Sequence, residues 1–92
     1  MTASADYVDG NALAGPLSEL FAVDITSAST RCVGCGSAWS VAQLHVFASG
    51  IGTVARCPGC DAAVLRYART PSAAIIDFRG TFVLTVHGMT AT

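Results

Sequence analysis

The sequence predicts a small, mostly-β, metal-bound domain in which a short N-terminal helix precedes an antiparallel sheet. Three observations carry that prediction. The chain has 92 residues, enough for one domain whose core is marginal without a staple. Its four cysteines form two close pairs, Cys32-Val33-Gly34-Cys35 and Cys57-Pro58-Gly59-Cys60, separated by residues 36–56. Much of the chain beyond the first pair divides into short alternating apolar stretches bounded by Gly and Pro, which is strand patterning.

Residues 1–30 read as an N-terminal arm that begins with a frayed stretch over 1–8. Asp9-Gly10-Asn11 is turn and cap chemistry, since Asp and Asn bond nearby backbone and Gly permits positive φ. Leu13, Leu17, Leu20 and Phe21 follow at i, i+4, i+7 and i+8, one face of a helix. Pro16 lacks an N–H and suits only a first turn. The expectation is therefore a turn at 11–14 and a helix from Pro16 to Val23, with Gly15 at the junction and Ser18 and Glu19 on the polar side. Thr26 to Thr30 reads as a small-residue linker.

Residues 31–88 read as the β domain and 89–92 as a tail. Trp39 to Ser49 alternates, with Val41, Gln43, His45 and Phe47 on one face and Ala42, Leu44, Val46 and Ala48 on the other. Gly50-Ile51-Gly52 turns the chain and Thr53 to Arg56 returns it, so a hairpin separates the cysteine pairs. Ala63–Arg69, Ala74–Arg79 and Phe82–His87 are three more strands. Thr70-Pro71-Ser72 turns between the first two. Gly80-Thr81 has the Gly-first form of a two-residue hairpin loop between the last two.

Two Cys-x-x-Cys pairs far apart in sequence are the usual layout of a tetrahedral zinc–thiolate site. Each pair makes a tight turn whose backbone N–H groups point at the sulfurs. Gly34 and Gly36 relieve the first turn and Gly59 the second, while Pro58 pre-sets φ. Arg31 and Arg56 stand beside the pairs, placed to offset the negative charge of four thiolates. Buried free thiols and disulfides are the competing readings. Met1 to Gly10 carries neither a basic leader nor an apolar run, so the expected compartment is the cytoplasm, where thiols stay reduced. A redox dithiol at Cys-Pro-Gly-Cys is disfavoured by the second pair and by a chain too short for a thioredoxin-like unit.

Cys32-Val33-Gly34-Cys35-Gly36 and Cys57-Pro58-Gly59-Cys60 resemble the zinc-ribbon and rubredoxin-like knuckle class over residues 31–61. The resemblance implies a zinc-ribbon-like sheet, and its rubredoxin side implies iron and electron transfer. The chain departs from rubredoxin in its shorter interval, in Asp61 where Gly commonly follows the last cysteine, and in lacking acidic aromatic surroundings. One structural Zn2+ is thus expected on Cys32, Cys35, Cys57 and Cys60. The whole chain also resembles a family of short actinobacterial zinc-ribbon proteins, through Tyr7-Val8-Asp9-Gly10-Asn11-Ala12-Leu13-Ala14-Gly15 and Ala55-Arg56-Cys57-Pro58-Gly59-Cys60-Asp61. That likeness implies an actinobacterial origin and carries no activity.

Composition narrows function by exclusion. The formal charge is −1 and lysine is absent, which opposes nucleic-acid binding driven by phosphate neutralisation. Asp6, Asp9, Glu19 and Asp24 make the arm acidic, and five arginines make the remainder modestly basic. No apolar run approaches the ~18 residues of a membrane span. No cysteine lies outside the pairs, no serine sits in a nucleophile elbow, and the acids are scattered, so neither an enzyme nor a small-molecule substrate is indicated. Four thiolates leave no vacancy for His45 or His87. Trp39 is expected to pack over the knuckle with its N–H bonded. Arg66, Tyr67 and Arg69 make the best basic patch, and a thin one.

Hydrophobic residues make up 52% of the chain, and the mean hydropathy is +0.55. So much apolar surface is hard to hide in a small domain and points to a protein partner or a homo-oligomer. The face of Leu13, Leu17, Leu20 and Phe21 either packs on the chain's own sheet or docks into a larger protein. The reading is a zinc-stabilised interaction module or accessory subunit, with an iron electron carrier and a nucleic-acid-binding ribbon as alternatives.

Overall fold

The computed structural model describes residues 7–18, 20–21, 23–49 and 52–87. The expected frayed start before Tyr7, the Gly50-Ile51 part of the turn, Glu19 and the tail at 89–92 lie outside the described residues.

Among the described residues, eight short strands form two antiparallel sheets: β1 (Val8–Asp9), β2 (Ser29–Cys32), β3 (Ala38–Ser40), β4 (His45–Ala48), β5 (Thr53–Arg56), β6 (Ala63–Arg69), β7 (Ala74–Asp77) and β8 (Thr81–Thr85). One sheet has the order β1-β4-β5-β6-β7 and the other β3-β2-β8. The fold is thus mostly β and antiparallel with one short helix, α1 (Ala14–Ser18). The single sheet expected from the pattern is in fact two, which share one core. Leu13, Leu17 and Ile25 from the first thirty residues are buried together with Val41, Leu44, Val46, Val64 and Leu65. No described helix is long and apolar enough to cross a membrane.

The arm's helix begins and ends earlier than its apolar spacing predicts. Asp9 caps a 3-10 turn at Gly10–Leu13 by accepting from the Asn11 N–H (3.0 Å), and α1 continues from it. Pro16 therefore falls in the first α turn, where no N–H is needed. The N–H groups of Leu20 and Phe21 both donate to the Leu17 carbonyl and close the helix (3.0 and 3.1 Å). Gly10 is required by contact. A Cβ there would lie 1.6 Å from the Val41 carbonyl oxygen.

Thr26–Thr30 is not a linker. Asp24 accepts from the Thr26 hydroxyl (2.6 Å) and N–H (3.1 Å), which lowers its carboxyl pKa and caps a second 3-10 turn at Ile25–Ser27. The chain then enters β2, the central strand of the smaller sheet. Thr30 is buried there and its hydroxyl donates to the Trp39 carbonyl (2.9 Å).

The continuous strand expected from Trp39 to Ser49 is broken by a 3-10 turn at Val41–Gln43. The Gln43 side-chain oxygen accepts from the Ser40 N–H (2.9 Å) and hydroxyl (3.1 Å). Strict alternation would send Val41 and Leu44 to opposite faces. The turn instead buries both, with Val46, in one core.

The last hairpin is also absent. β7 pairs with β6, whereas β8 crosses to β2, pairing Arg31 with Val83 and Thr30 with Leu84. Gly80 passes so close to β6 that a Cβ would sit 1.8 Å from the Ala63 carbonyl oxygen. Thr81 then anchors the crossover. Its hydroxyl accepts from the Arg31 N–H and donates to the Arg31 carbonyl, both at 2.9 Å. The hairpin expected between the cysteine pairs is present, as β4 and β5 in register Val46–Ala55 and Phe47–Val54.

Candidate metal centre

The cysteine pairs are tight turns at strand ends. The first joins β2 to β3 and the second joins β5 to β6, so each sheet supplies one knuckle. The knuckles repeat one another bond for bond. The Gly34 N–H donates to Cys32 Sγ (3.2 Å) and the Gly59 N–H to Cys57 Sγ (3.3 Å). The Gly36 N–H donates to the Cys32 carbonyl and the Asp61 N–H to the Cys57 carbonyl, each at 2.8 Å. Each turn ends in a left-handed residue, Gly36 (φ 77°) and Asp61 (φ 67°). The departure at Asp61 is therefore the same backbone turn in a residue that tolerates it at some cost. A register shift precedes each pair, at Arg31/Cys32 and Ala55/Arg56.

The four sulfurs converge. All lie within 4.8 Å of one another, with Cys32–Cys60 at 3.6 Å and Cys35–Cys57 at 3.7 Å. Both of these contacts run between the knuckles. They far exceed the ~2.05 Å of a disulfide and match the ~3.8 Å edge of a tetrahedron with metal–sulfur bonds near 2.3 Å. The donor set fits a metal ion. Cys32 and Cys57 are buried, whereas Cys35 and Cys60 are exposed to solvent.

Of the three glycines expected to relieve the turns, only Gly36 has positive φ; Gly34 matters through close packing, and a Cβ on Gly59 would meet only ordinary van der Waals contacts. A Cβ on Gly34 would approach Cys60 Sγ to 3.2 Å, and one on Gly59 would come within 3.6 Å of both Cys57 Sγ and the Trp39 ring. Arg31 and Arg56 bond the knuckles through carbonyls: Arg31 Nη1 donates to the Gly36 oxygen (2.8 Å) and Arg56 Nη1 to the Asp61 oxygen (2.9 Å). These hydrogen bonds hold the turns.

Sequence reasoning missed Ser37 and Ala62. Hydrogen bonds from the Ser37 hydroxyl and N–H lower the Cys35 thiol to about 6. The Ala62 N–H pulls Cys60 down, but the Cys32 sulfur, burial and the other two sulfurs outweigh it and push the thiol up to about 12. Every sulfur thus receives an N–H from the residue two positions on. That i+2 spacing was the available signal.

The remaining candidates lie elsewhere. Tyr7 stacks on His45 (centroids 3.9 Å apart), and His87 Nε2 lies 3.0 Å from Ser29 Oγ. Trp39 does cover the second knuckle, but its Nε1 is buried without a hydrogen-bond partner, contrary to expectation. Tyr67 is buried while Arg66 points outward, so the expected basic patch is divided between two faces of β6. Leu13 and Leu17 are 1% and 0% exposed and belong to the chain's own core, which removes them from any docking face. Phe21 packs edge-on against Phe78, and Leu20 alone of the four is exposed.

The model of the Family of unknown function (DUF6510) matches residues 3–89. No curated protein matches the chain, and no solved structure does.

Proposed function

We propose a function from the premise that the chain belongs to the Family of unknown function (DUF6510), a membership that brings no activity with it. The chain is read as a zinc-stapled interaction module or accessory subunit, of zinc-ribbon type at its knuckles. The observation that carries this reading is the closed tetrahedron of four protein sulfurs, two from each sheet. Four thiolates occupy every position of a tetrahedral zinc ion, so the ion supports the fold and presents no open site to a substrate.

A contact surface adjoins the first knuckle. Val33, Phe82 and Val83 are 57%, 59% and 45% exposed. The Val33 N–H donates to the Gly80 carbonyl (2.9 Å), which draws the knuckle tip to the start of β8. Large apolar side chains grouped at a rigid turn suit a protein partner.

Native mass spectrometry with elemental analysis of the full chain tests both parts. One zinc per chain and a co-purifying subunit or discrete oligomer are expected. One iron with visible thiolate absorption would replace this reading with an electron carrier. A metal-bound monomer with no partner would remove the interaction role.

A further inference from the structure

Part of the outer face of the larger sheet is apolar, where a solvent face is ordinarily polar. Strand register places Phe47, Val54, Arg66 and Asp77 in one row across β4, β5, β6 and β7. Ala68 and Ile75 pair in the next row outward. Val46, Ala55 and Leu65 alternate with them and point into the core. An antiparallel sheet covered on one side ordinarily turns polar residues to water on the other. Here a concavity of about 510 Å³ is walled by Phe47, Val54, Ala68 and Ile75, with Arg66 and Asp77 at its side. That volume falls within the roughly 300–1,000 Å³ of small-molecule sites, which are mostly apolar with a few polar groups.

The charges at this face are unbalanced. Arg79 holds Asp77 through both carboxylate oxygens, with Nη2 at 2.6 Å and Nε at 3.0 and 3.1 Å. The Arg66 guanidinium feels Asp77 through space, but among the described residues it has no hydrogen-bond or ion-pair partner. Two arginines and one aspartate leave the trio at +1. A guanidinium beside apolar surface offers a planar fork suited to a carboxylate.

We propose that this concavity binds a small molecule with an apolar body and one carboxylate, its body against Phe47, Val54, Ala68 and Ile75 and its anionic end on Arg66. The site lies on a different surface from the knuckle contact and does not depend on which metal the chain holds.

The test titrates decanoate and decanol, each below its aggregation concentration, into the full metal-loaded chain, read by NMR. Saturable one-to-one decanoate binding is expected, with shifts at Val54, Ala68 and Ile75. Arg66→Met should weaken decanoate at least tenfold and leave decanol unchanged, and Arg66→Lys should restore part of the loss. Ile75→Asp should abolish both, with metal content and spectral dispersion retained as the control on folding. Equal affinity for decanoate and decanol would overturn the proposal, as would shifts that map elsewhere or indifference to Arg66→Met. Sedimentation showing a dimer that shields Ile75 would also overturn it, by making the face a self-interface.

Discussion

Stripping the metal from the intact chain should let the two sheets part. The sulfur contacts join positions 28 and 22 residues apart, and the knuckles they join belong to different sheets. A cross-link closing a loop of that length restricts the unfolded chain by about 3 kcal/mol. This is a floor, because structural zinc in small peptides contributes on the order of 10 kcal/mol near neutral pH. Small domains sit near the lower end of a total stability of roughly 5–15 kcal/mol. At about 4–8 °C per kcal/mol for a chain of this length, the floor alone lowers Tm by at least ~12 °C. The assay is thermal unfolding by circular dichroism, with Trp39 emission recorded alongside, before and after a strong chelator. Trp39 comes from β3 yet lies against the second knuckle, so its emission reports the distance between sheets. An apo chain with the same melt and the same emission would refute the reasoning.

Three further outcomes follow from named contacts. Leu17→Ala should cost about 2–5 kcal/mol in urea denaturation, whereas Leu20→Ala, at a position 38% exposed, should cost under ~0.5 kcal/mol; equal effects would contradict the burial of the arm. Arg56→Met removes the bond to the Asp61 carbonyl, and a bond of ~1 kcal/mol corresponds to about fivefold faster metal transfer to a chromophoric chelator. Hydrogen bonds from Arg79 hold the Asp77 carboxyl at about 2, below its unfolded value, so the pair's contribution is complete above the ordinary carboxylate range and fades as pH falls toward 2. Carboxyl NMR should show that titration, and Arg79→Ala should return it to the ordinary range.

The candidate metal centre is legible in the sequence because its information is local. Cys-x-x-Cys with glycine in the turn dictates a knuckle whatever surrounds it, and Cys32, Cys35, Cys57 and Cys60 do converge. β5 and β6 are legible for a similar reason, since short runs rich in β-branched and aromatic residues between turn residues read locally as strands. Trp39 to Ser49 misleads because alternation cannot register Ser40 bonding Gln43, an exchange that resets which residues face inward. The β7–β8 hairpin misleads because Gly-first loops are only permissive. The choice between hairpin and crossover rests on Thr81 bonding Arg31, fifty positions away. Short-range pattern carries no trace of such a partner. Val33, Phe82 and Val83 stayed hidden for the same reason, since only the crossover brings them together.

The crossing of β8 to β2 also orders events during synthesis. A growing chain emerges from its N-terminus, so all four thiols leave the ribosome before β8 does. The ion can therefore clasp both knuckles while the smaller sheet still consists of β2 and β3 alone. β8 then arrives as an edge added to a clasped half-built protein. Released chains cut after Asp77 should accordingly hold metal yet present the bare side of β2, which would attract any loose strand nearby.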